Sequence, residues 1–235
     1  MQSGQPSDNK IIYLLKTMKQ EYVEDTMKKG RFCFNHPAVF NKWEKVDSAQ
    51  FDRWDAHSAY IADHLMYAPI IGENNGQPIY GKPKMIAGKA ILHEQSRAAR
   101  YSPICCFRYV ERHEVIIEDH GITYSLGETA DRIKNEFGHD SFIMIQAVPF
   151  LERLRSNYQC YCGDVVYKDT LNDYEFDVPE QIKEHVEQVF RKDKSFEWQK
   201  EYRVALLPTE NSPVFIELGS IEDIAISGSI SLLRD

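Results

Sequence analysis

Apolar residues follow two different periods along the chain, and the changes of period predict an alternation of strands and helices. Residues 11–15 are apolar on both faces, which is typical of a strand that is covered on two sides. The next apolar positions lie one helical turn apart and Gly30 follows them, so we predict a helix over 18–29. The spacing of Thr17 and Gln20 predicts a capping box, and alternation predicts a strand over 31–34. The chain therefore opens as strand, helix, strand.

The rest of the pattern indicates a mixed α+β fold with a mostly antiparallel central sheet flanked by helices. Helical spacing occurs near 60–65 and 91–99, and an Asn-Gly turn between them predicts a hairpin over 70–80. We expect a flexible leader over 1–10 and a single domain over 11–235. Further helices are predicted over 133–137, from Pro149 onward and over 182–190, and further strands over 104–109, 114–117, 122–124, 142–148, 165–167, 202–207, 214–218, 224–226 and 230–233.

Composition and net charge limit the cellular location and the binding partners that we expect for the protein. The net charge of −8 disfavours strong non-specific binding to nucleic acids, whose phosphates it repels. The sequence has no run of about 20 apolar residues and no apolar core of a signal peptide, so we expect no membrane partner. Five cysteines are an odd number without a C-x-x-C pair, which favours reduced thiols and a cytoplasmic location.

Signatures of several enzyme classes are absent, including both glycine-rich nucleotide loops and the H-E-x-x-H zinc motif. The pair Cys160 and Cys162 would project both sulfurs from one side of a strand, but no second pair accompanies it. Two small apolar side chains are the simpler interpretation, so we predict no metal site. His113, His120 and His139 flank predicted turns, where a nuclease or phosphodiesterase could carry its general base.

The most informative local pattern is Gln199-Lys200-Glu201 at the start of a predicted strand. Alternation would place the side chains of Gln199 and Glu201 on the same face and that of Lys200 on the other. Such a pair suits chemistry on the nicotinamide ribose of NAD. The carboxylate can accept a hydrogen bond from the 2′-hydroxyl and stabilise the cationic sugar as nicotinamide leaves, while the amide orients the acceptor.

This pattern resembles the Gln-x-Glu motif of ADP-ribosyltransferases, and the opening strand, helix and strand are similar in order and length to those of that fold. The chain also resembles an uncharacterised family of bacterial and phage proteins. The residues that carry this second resemblance are Tyr13 with Lys16, the run Ile104-Cys105-Cys106-Phe107, and Trp198 to Arg203. The resemblance covers about residues 11–42 and 101–228, so residues 44–100 are a probable insertion.

The resemblance implies an ADP-ribosyltransferase-like protein that uses NAD as a substrate to modify a macromolecular acceptor, a protein or a nucleic acid. It would act in conflict between bacteria and phages, as a toxin, a defence effector or a counter-defence factor. Glu201 would be the catalytic carboxylate and Gln199 its partner. Tyr13 or Lys16 would contact the diphosphate or the adenosine ribose, and Arg31 would pair with a phosphate as a fork donor. An aromatic residue such as Tyr101 or Phe107 would stack on nicotinamide.

Two other functions remain open at this stage. An acidic domain can imitate the charge of a nucleic acid, so the chain could be a non-enzymatic bacterial or phage protein that binds and inhibits a host complex. A nuclease or phosphodiesterase that uses His113, His120 or His139 is the other alternative. Loss of activity in Glu201→Ala, or in a single histidine variant, would distinguish the two enzymes from each other and from the binding protein.

Overall fold

The first predicted strand opens the fold, and most of the strands predicted after residue 100 are present. The computed structural model describes residues 11–40, 56, 58–62, 65–67, 70–74, 77–82, 84–87, 90–118, 121–168 and 186–234. The predicted leader over 1–10 lies outside these residues. The strands are β1 Ile11–Met18, β2 Arg31–Phe34, β3 Ser58–Ala62, β4 Leu65–Tyr67, β5 Ile70–Asn74, β6 Gln77–Tyr80, β7 Lys84–Ala87, β8 Ala90–Glu94, β9 Ile104–Glu111, β10 Val115–Glu118, β11 Gly121–Tyr124, β12 Ser141–Gln146, β13 Cys160–Asp164, β14 Val166–Lys168, β15 Arg191–Asp193, β16 Glu201–Leu206, β17 Val214–Glu217 and β18 Ala225–Ser229.

The helices are short, and none in the described part of the chain is long and apolar enough to cross a membrane. Two of them, Gln20–Lys29 and Glu128–Phe137, end at a glycine in the left-handed conformation, at Gly30 and Gly138. The α-helices are α1 Gln20–Lys29, α2 Pro37–Phe40, α3 Arg97–Tyr101, α4 Glu128–Phe137 and α5 Ala147–Asn157, and the 3-10 helices are Arg112–Glu114, Val186–Phe190, Lys194–Gln199 and Ile230–Leu233.

A six-stranded sheet forms the centre of the fold, in the order β13-β16-β9-β1-β12-β18, and every neighbouring pair in it is antiparallel. Both faces of the sheet are covered, because successive side chains of β1 enter different hydrophobic clusters. Leu14 packs with residues of α1 and α5, such as Val23 and Phe150. Leu15 packs in a second cluster with Ile133 of α4 and with residues at the C-terminal end of the chain. The predicted α+β class and its mostly antiparallel sheet are confirmed.

Residues 58–94 pair among themselves as nested antiparallel hairpins, with β3 against β8, β4 against β7 and β5 against β6. The hairpin expected over 70–80 is therefore present, although its Asn-Gly turn lies outside the described residues. The helices expected near 60–65 and 91–99 are wrong, because cross-strand pairing overrides the local spacing. Among the residues described there, Arg97–Tyr101 is helical, and this helix begins after Ser96, whose side chain accepts a hydrogen bond from Ala99 N–H.

Three other local predictions change. The strand expected over 230–233 is a 3-10 helix, which Ser229 caps by accepting a hydrogen bond from Ser231 N–H. The helix expected over 182–190 is described only at its end, where Val186–Phe190 is a 3-10 helix. Thr17 does not cap α1, since it lies within β1 and Lys19 takes the capping position without a side-chain bond.

Candidate functional site

A cavity of about 300 Å³ opens where β1 and β9 stop pairing. Their shared register ends at Leu15 opposite Arg108, yet β1 runs on to Met18 beside β12. The first residue of β9, Ile104, is instead bridged to Asn35. The two central strands therefore diverge beyond Leu15, and side chains rather than backbone ladders line the gap. This position at the middle of the sheet brings residues from both ends of the sequence together.

Lys16 spans the gap from the β1 side. Its Nζ donates a hydrogen bond of 2.8 Å to the carbonyl oxygen of Cys106 and lies 5.6 Å from the centre of the Phe107 ring. Burial alone would lower the pKa of Lys16, but attraction to the neighbouring thiols and to Glu201 raises it above its ordinary value. The side chain is therefore a cation on the wall of the cavity, as its predicted role requires.

Glu201 lies on the opposite wall, at the start of β16, and is only 4% exposed. Arg203 donates from Nε to its Oε1 at 2.6 Å, and Lys192 donates from Nζ to its Oε2 at 2.9 Å. Burial alone would raise the pKa of Glu201, but the charges of Arg203 and Lys192 outweigh burial and lower it well below its ordinary range. The carboxylate is thus ionised near pH 7.

Gln199 also lines the cavity, but it does not share a strand with Glu201 as the sequence suggested. The 3-10 helix Lys194–Gln199 ends at this residue, and Lys200 takes a left-handed conformation with φ of 45° before β16 begins. The two side chains meet instead through Lys192, whose Nζ is 2.8 Å from Gln199 Oε1 and 2.9 Å from Glu201 Oε2. Gln199 and Glu201 therefore line the same cavity, although they do not lie on one strand.

Lys192 and Arg203 are residues that the sequence reasoning missed. Lys192 lies on β15, just after the end of the helix expected over 182–190. No local signal in the sequence pointed to it. Arg203 is fully buried, and its second donor reaches the carbonyl oxygen of Val189 at 2.5 Å. Arg203 could have been identified from its place two residues after Glu201, because residues 201 and 203 of a strand project from the same face.

One end of the cavity is aromatic. Ile133 and Phe137 of α4, together with His139 and Trp198, line this end. The rings of Phe137 and His139 are stacked with centres 5.7 Å apart and an interplanar angle of 19°. Arg108 connects this end to β9 by donating to the carbonyl oxygen of Trp198 at 2.7 Å. The cavity therefore has an apolar, aromatic end and a charged end.

His139 is held in its neutral form. Its Nδ1 is 2.9 Å from the hydroxyl oxygen of Thr17, and burial together with the charge of Lys16 lowers the pKa of His139 to about 4. His113 lies elsewhere, with its side chain 67% exposed and 3.9 Å from Glu111. His120 is outside the described residues. The structure thus brings one of the three histidines of the nuclease hypothesis to the cavity.

The other predicted contact residues divide between the cavity and the rest of the molecule. Phe107 lines the cavity and is buried. Tyr13 packs against the second hydrophobic cluster. Arg31 is exposed, pairs with Asp25 and lies over the ring of Phe215 at 4.7 Å. Tyr101 contacts the ring of His36 edge-on. Of the seven predicted site residues, Glu201, Gln199, Lys16 and Phe107 share the cavity, while Tyr13, Arg31 and Tyr101 lie outside it.

Metal chemistry has no counterpart at this cavity. In the part of the chain that the structure describes, no group of three or more histidine, cysteine, aspartate or glutamate side chains is close enough to hold a metal ion.

Comparison of the chain with protein-family models, with curated proteins and with solved structures gave no match. The function must therefore be argued from the cavity itself.

Proposed function

We propose that the cavity binds NAD and that the protein is an ADP-ribosyltransferase-like enzyme that modifies a macromolecular acceptor, in conflict between bacteria and phages. The observation that carries this proposal is the meeting of Gln199 and Glu201 on one wall, opposite Lys16 of the first strand. An amide, an ionised carboxylate and a facing cation are the groups that the resemblance calls for in this reaction.

The charge of the cavity supports a phosphate-bearing ligand. Lys16, Arg108, Lys192 and Arg203 line it against the single carboxylate of Glu201, which leaves an excess of three positive charges. His139 is neutral and adds no charge near pH 7. The whole chain carries −8, so this local excess runs against the average of the protein. A diphosphate is an anion that would neutralise most of it.

The size and shape of the cavity favour one half of a dinucleotide. Its volume of about 300 Å³ is at the lower end of the range for small-molecule sites. Phe137, His139 and Trp198 line the cavity, and the planar ring of a ligand can stack on aromatic side chains of this kind. We infer that the nicotinamide nucleoside enters the cavity and that the diphosphate lies toward Lys16.

Ion pairing and hydrogen bonding of Glu201 are compatible with the proposed chemistry. A carboxylate offers about four lone-pair sites, and the bonds from Arg203, Lys192 and the Cys106 thiol use three of them. A remaining site can accept a hydrogen bond from the ribose 2′-hydroxyl, and the negative charge stabilises the sugar carbon as its bond to nicotinamide breaks. The nicotinamide nitrogen keeps the bonding electrons, and the acceptor then bonds to that carbon and loses a proton.

The test is incubation of the protein with labelled NAD and cell lysate, with released nicotinamide quantified by chromatography. Removal of one transition-state contact typically costs about 100- to 1000-fold in rate, so we expect a loss of that size in Glu201→Gln and a smaller loss in Gln199→Ala. Glu217→Gln, on the exposed edge of β17, is the matched control and should retain full activity. Absence of NAD binding at millimolar concentration, together with no label transfer, would exclude the proposal.

One observation favours a second candidate, a non-enzymatic protein that binds a host complex. Both oxygens of Glu201 are engaged by buried cations, which is an arrangement that structural ion pairs also show. This candidate predicts a stoichiometric complex in pull-downs that survives the double change Gln199→Ala and Glu201→Gln, with no release of nicotinamide by the wild type. An enzyme would show the opposite pair of results.

A further inference from the structure

Two thiols on an edge strand form a feature that the cavity does not use. Cys160 and Cys162 lie on β13, whose only partner in the central sheet is β16. They are two positions apart, so their side chains leave the same face of the strand, and their sulfur atoms are 3.7 Å apart. Both side chains are partly buried against the first hydrophobic cluster. The pair is thus oriented by the strand and remains within reach of solvent.

We propose that Cys160 and Cys162 together bind one soft monovalent metal ion of the Cu(I) class. The two sulfurs already converge on one point, and thiolates are the ligands that select this kind of ion. The sequence alone favoured two small apolar residues at these positions, because it could not show how closely the sulfurs approach each other.

The number of ligands decides which ion fits. Structural zinc takes four protein ligands, and the described residues include no group of three or more metal-ligating side chains. The structure thus offers two sulfurs and no third ligand among the residues that it describes. Two thiolates supply the ligands that a monovalent soft ion needs. The same pair supplies only two of the four protein ligands of a structural zinc ion.

Binding of the ion requires both thiols to release their protons to solvent, because the thiolate is the form that binds a metal. Two thiolates and one monovalent cation then leave a single negative charge on the pair.

A disulfide is the competing use of the pair. Residues i and i+2 of a strand are about 6.6 Å apart, from a rise of about 3.3 Å per residue. Disulfides join α-carbons that are usually about 4.4–6.8 Å apart, so strand geometry permits one here, and experiment must separate the two roles.

The experiment is an anaerobic titration of the reduced, full-length protein with Cu(I) in the presence of a chromogenic Cu(I) chelator. We expect one ion per chain and at least a tenfold loss of affinity in both Cys160→Ser and Cys162→Ser. Cys33→Ser is the matched control, because it removes an exposed thiol from a different sheet and should leave the affinity unchanged. Unchanged affinity in either variant of the pair would overturn the proposal.

A measurement on the wild type covers the case in which a variant folds poorly. Bound Cu(I) should protect Cys160 and Cys162, but not Cys33, from alkylation by iodoacetamide, as read by peptide mass spectrometry. Equal alkylation with and without Cu(I) would refute metal binding. Formation of a Cys160–Cys162 disulfide with glutathione disulfide, without uptake of Cu(I), would instead assign the pair to redox chemistry.

Discussion

The ion-paired carboxylate of Glu201 makes a sharp prediction about stability. In Glu201→Gln the side chain keeps its shape, but its amide group must face one of two buried donors, either Lys192 at 2.9 Å or Arg203 at 2.6 Å. The two cations then lose their shared counter-charge in a site that is 4% exposed. Removing one partner of a buried ion pair costs about 3–5 kcal/mol. The amide oxygen can still accept one of the two hydrogen bonds, so we expect a loss of about 3 kcal/mol, near the lower end of that range.

Urea denaturation at pH 7, followed by circular dichroism, measures this loss directly. Glu217→Gln is again the control, since its partner Arg31 is 4.0 Å away and both side chains are exposed, so the expected change is at most about 1 kcal/mol. Equal stability of the two variants would show that Lys192 and Arg203 do not depend on Glu201, and the argument for a buried ion network would be wrong.

The pH dependence of stability gives a second check. The lowered pKa of Glu201 means that its contribution is complete above about pH 4.5, the unfolded value, and is lost as pH falls toward the lower folded value.

Three other predictions follow from single residues. The pKa of His139 is lowered to about 4 in the folded state, so stability should fall as pH drops from 6.5 to 4, and thermal denaturation of His139→Asn should lack that loss; equal slopes would contradict it. Gly30→Ala would place a Cβ 2.4 Å from the carbonyl oxygen of Gly219, so it should destabilise the fold by more than Gly138→Ala, which has the same left-handed φ in open space, as urea denaturation can show. Lys16→Met should weaken binding of pyrophosphate at least tenfold by calorimetry, whereas Lys28→Met, which removes an exposed charge on α1, should not.

Local signals predicted the opening of the fold well. The apolar run of β1, the helical spacing of α1 and the glycine at its end all act within a few residues, and Gly30 indeed takes the left-handed conformation that the prediction assumed. The helices expected near 60–65 and 91–99 failed because the apolar spacing there is compatible with either element. Pairing of β3 with β8 decided the outcome, and that contact joins residues about thirty positions apart. No local signal could supply it.

The candidate site shows the same division between local and distant information. Lys16 and Glu201 were identified from short patterns in the sequence, and both line the cavity. Lys192, which joins Gln199 to Glu201, was missed because its strand β15 forms only by parallel pairing with β14. Tyr13 and Arg31 were proposed from the resemblance, as Lys16 was, and neither lines the cavity. Neighbouring positions of a strand face opposite sides, so order did not tell which of them would reach the cavity.

The cavity and the stability of the sheet have a common origin. Where β1 and β9 diverge, the sheet loses backbone pairing, and the side chain of Lys16 bridges the gap to the carbonyl oxygen of Cys106. Across the gap, the network of Lys192, Glu201 and Arg203 fixes the start of β16. A ligand that enters here meets charges that are already held in place, which is the condition for strong electrostatic stabilisation of a transition state. Ion pairing of Glu201 therefore does not decide between a structural and a catalytic role, because the contacts that stabilise the sheet also orient the carboxylate. Measuring both the reaction rate and the stability of the same variant distinguishes the catalytic role from the structural one.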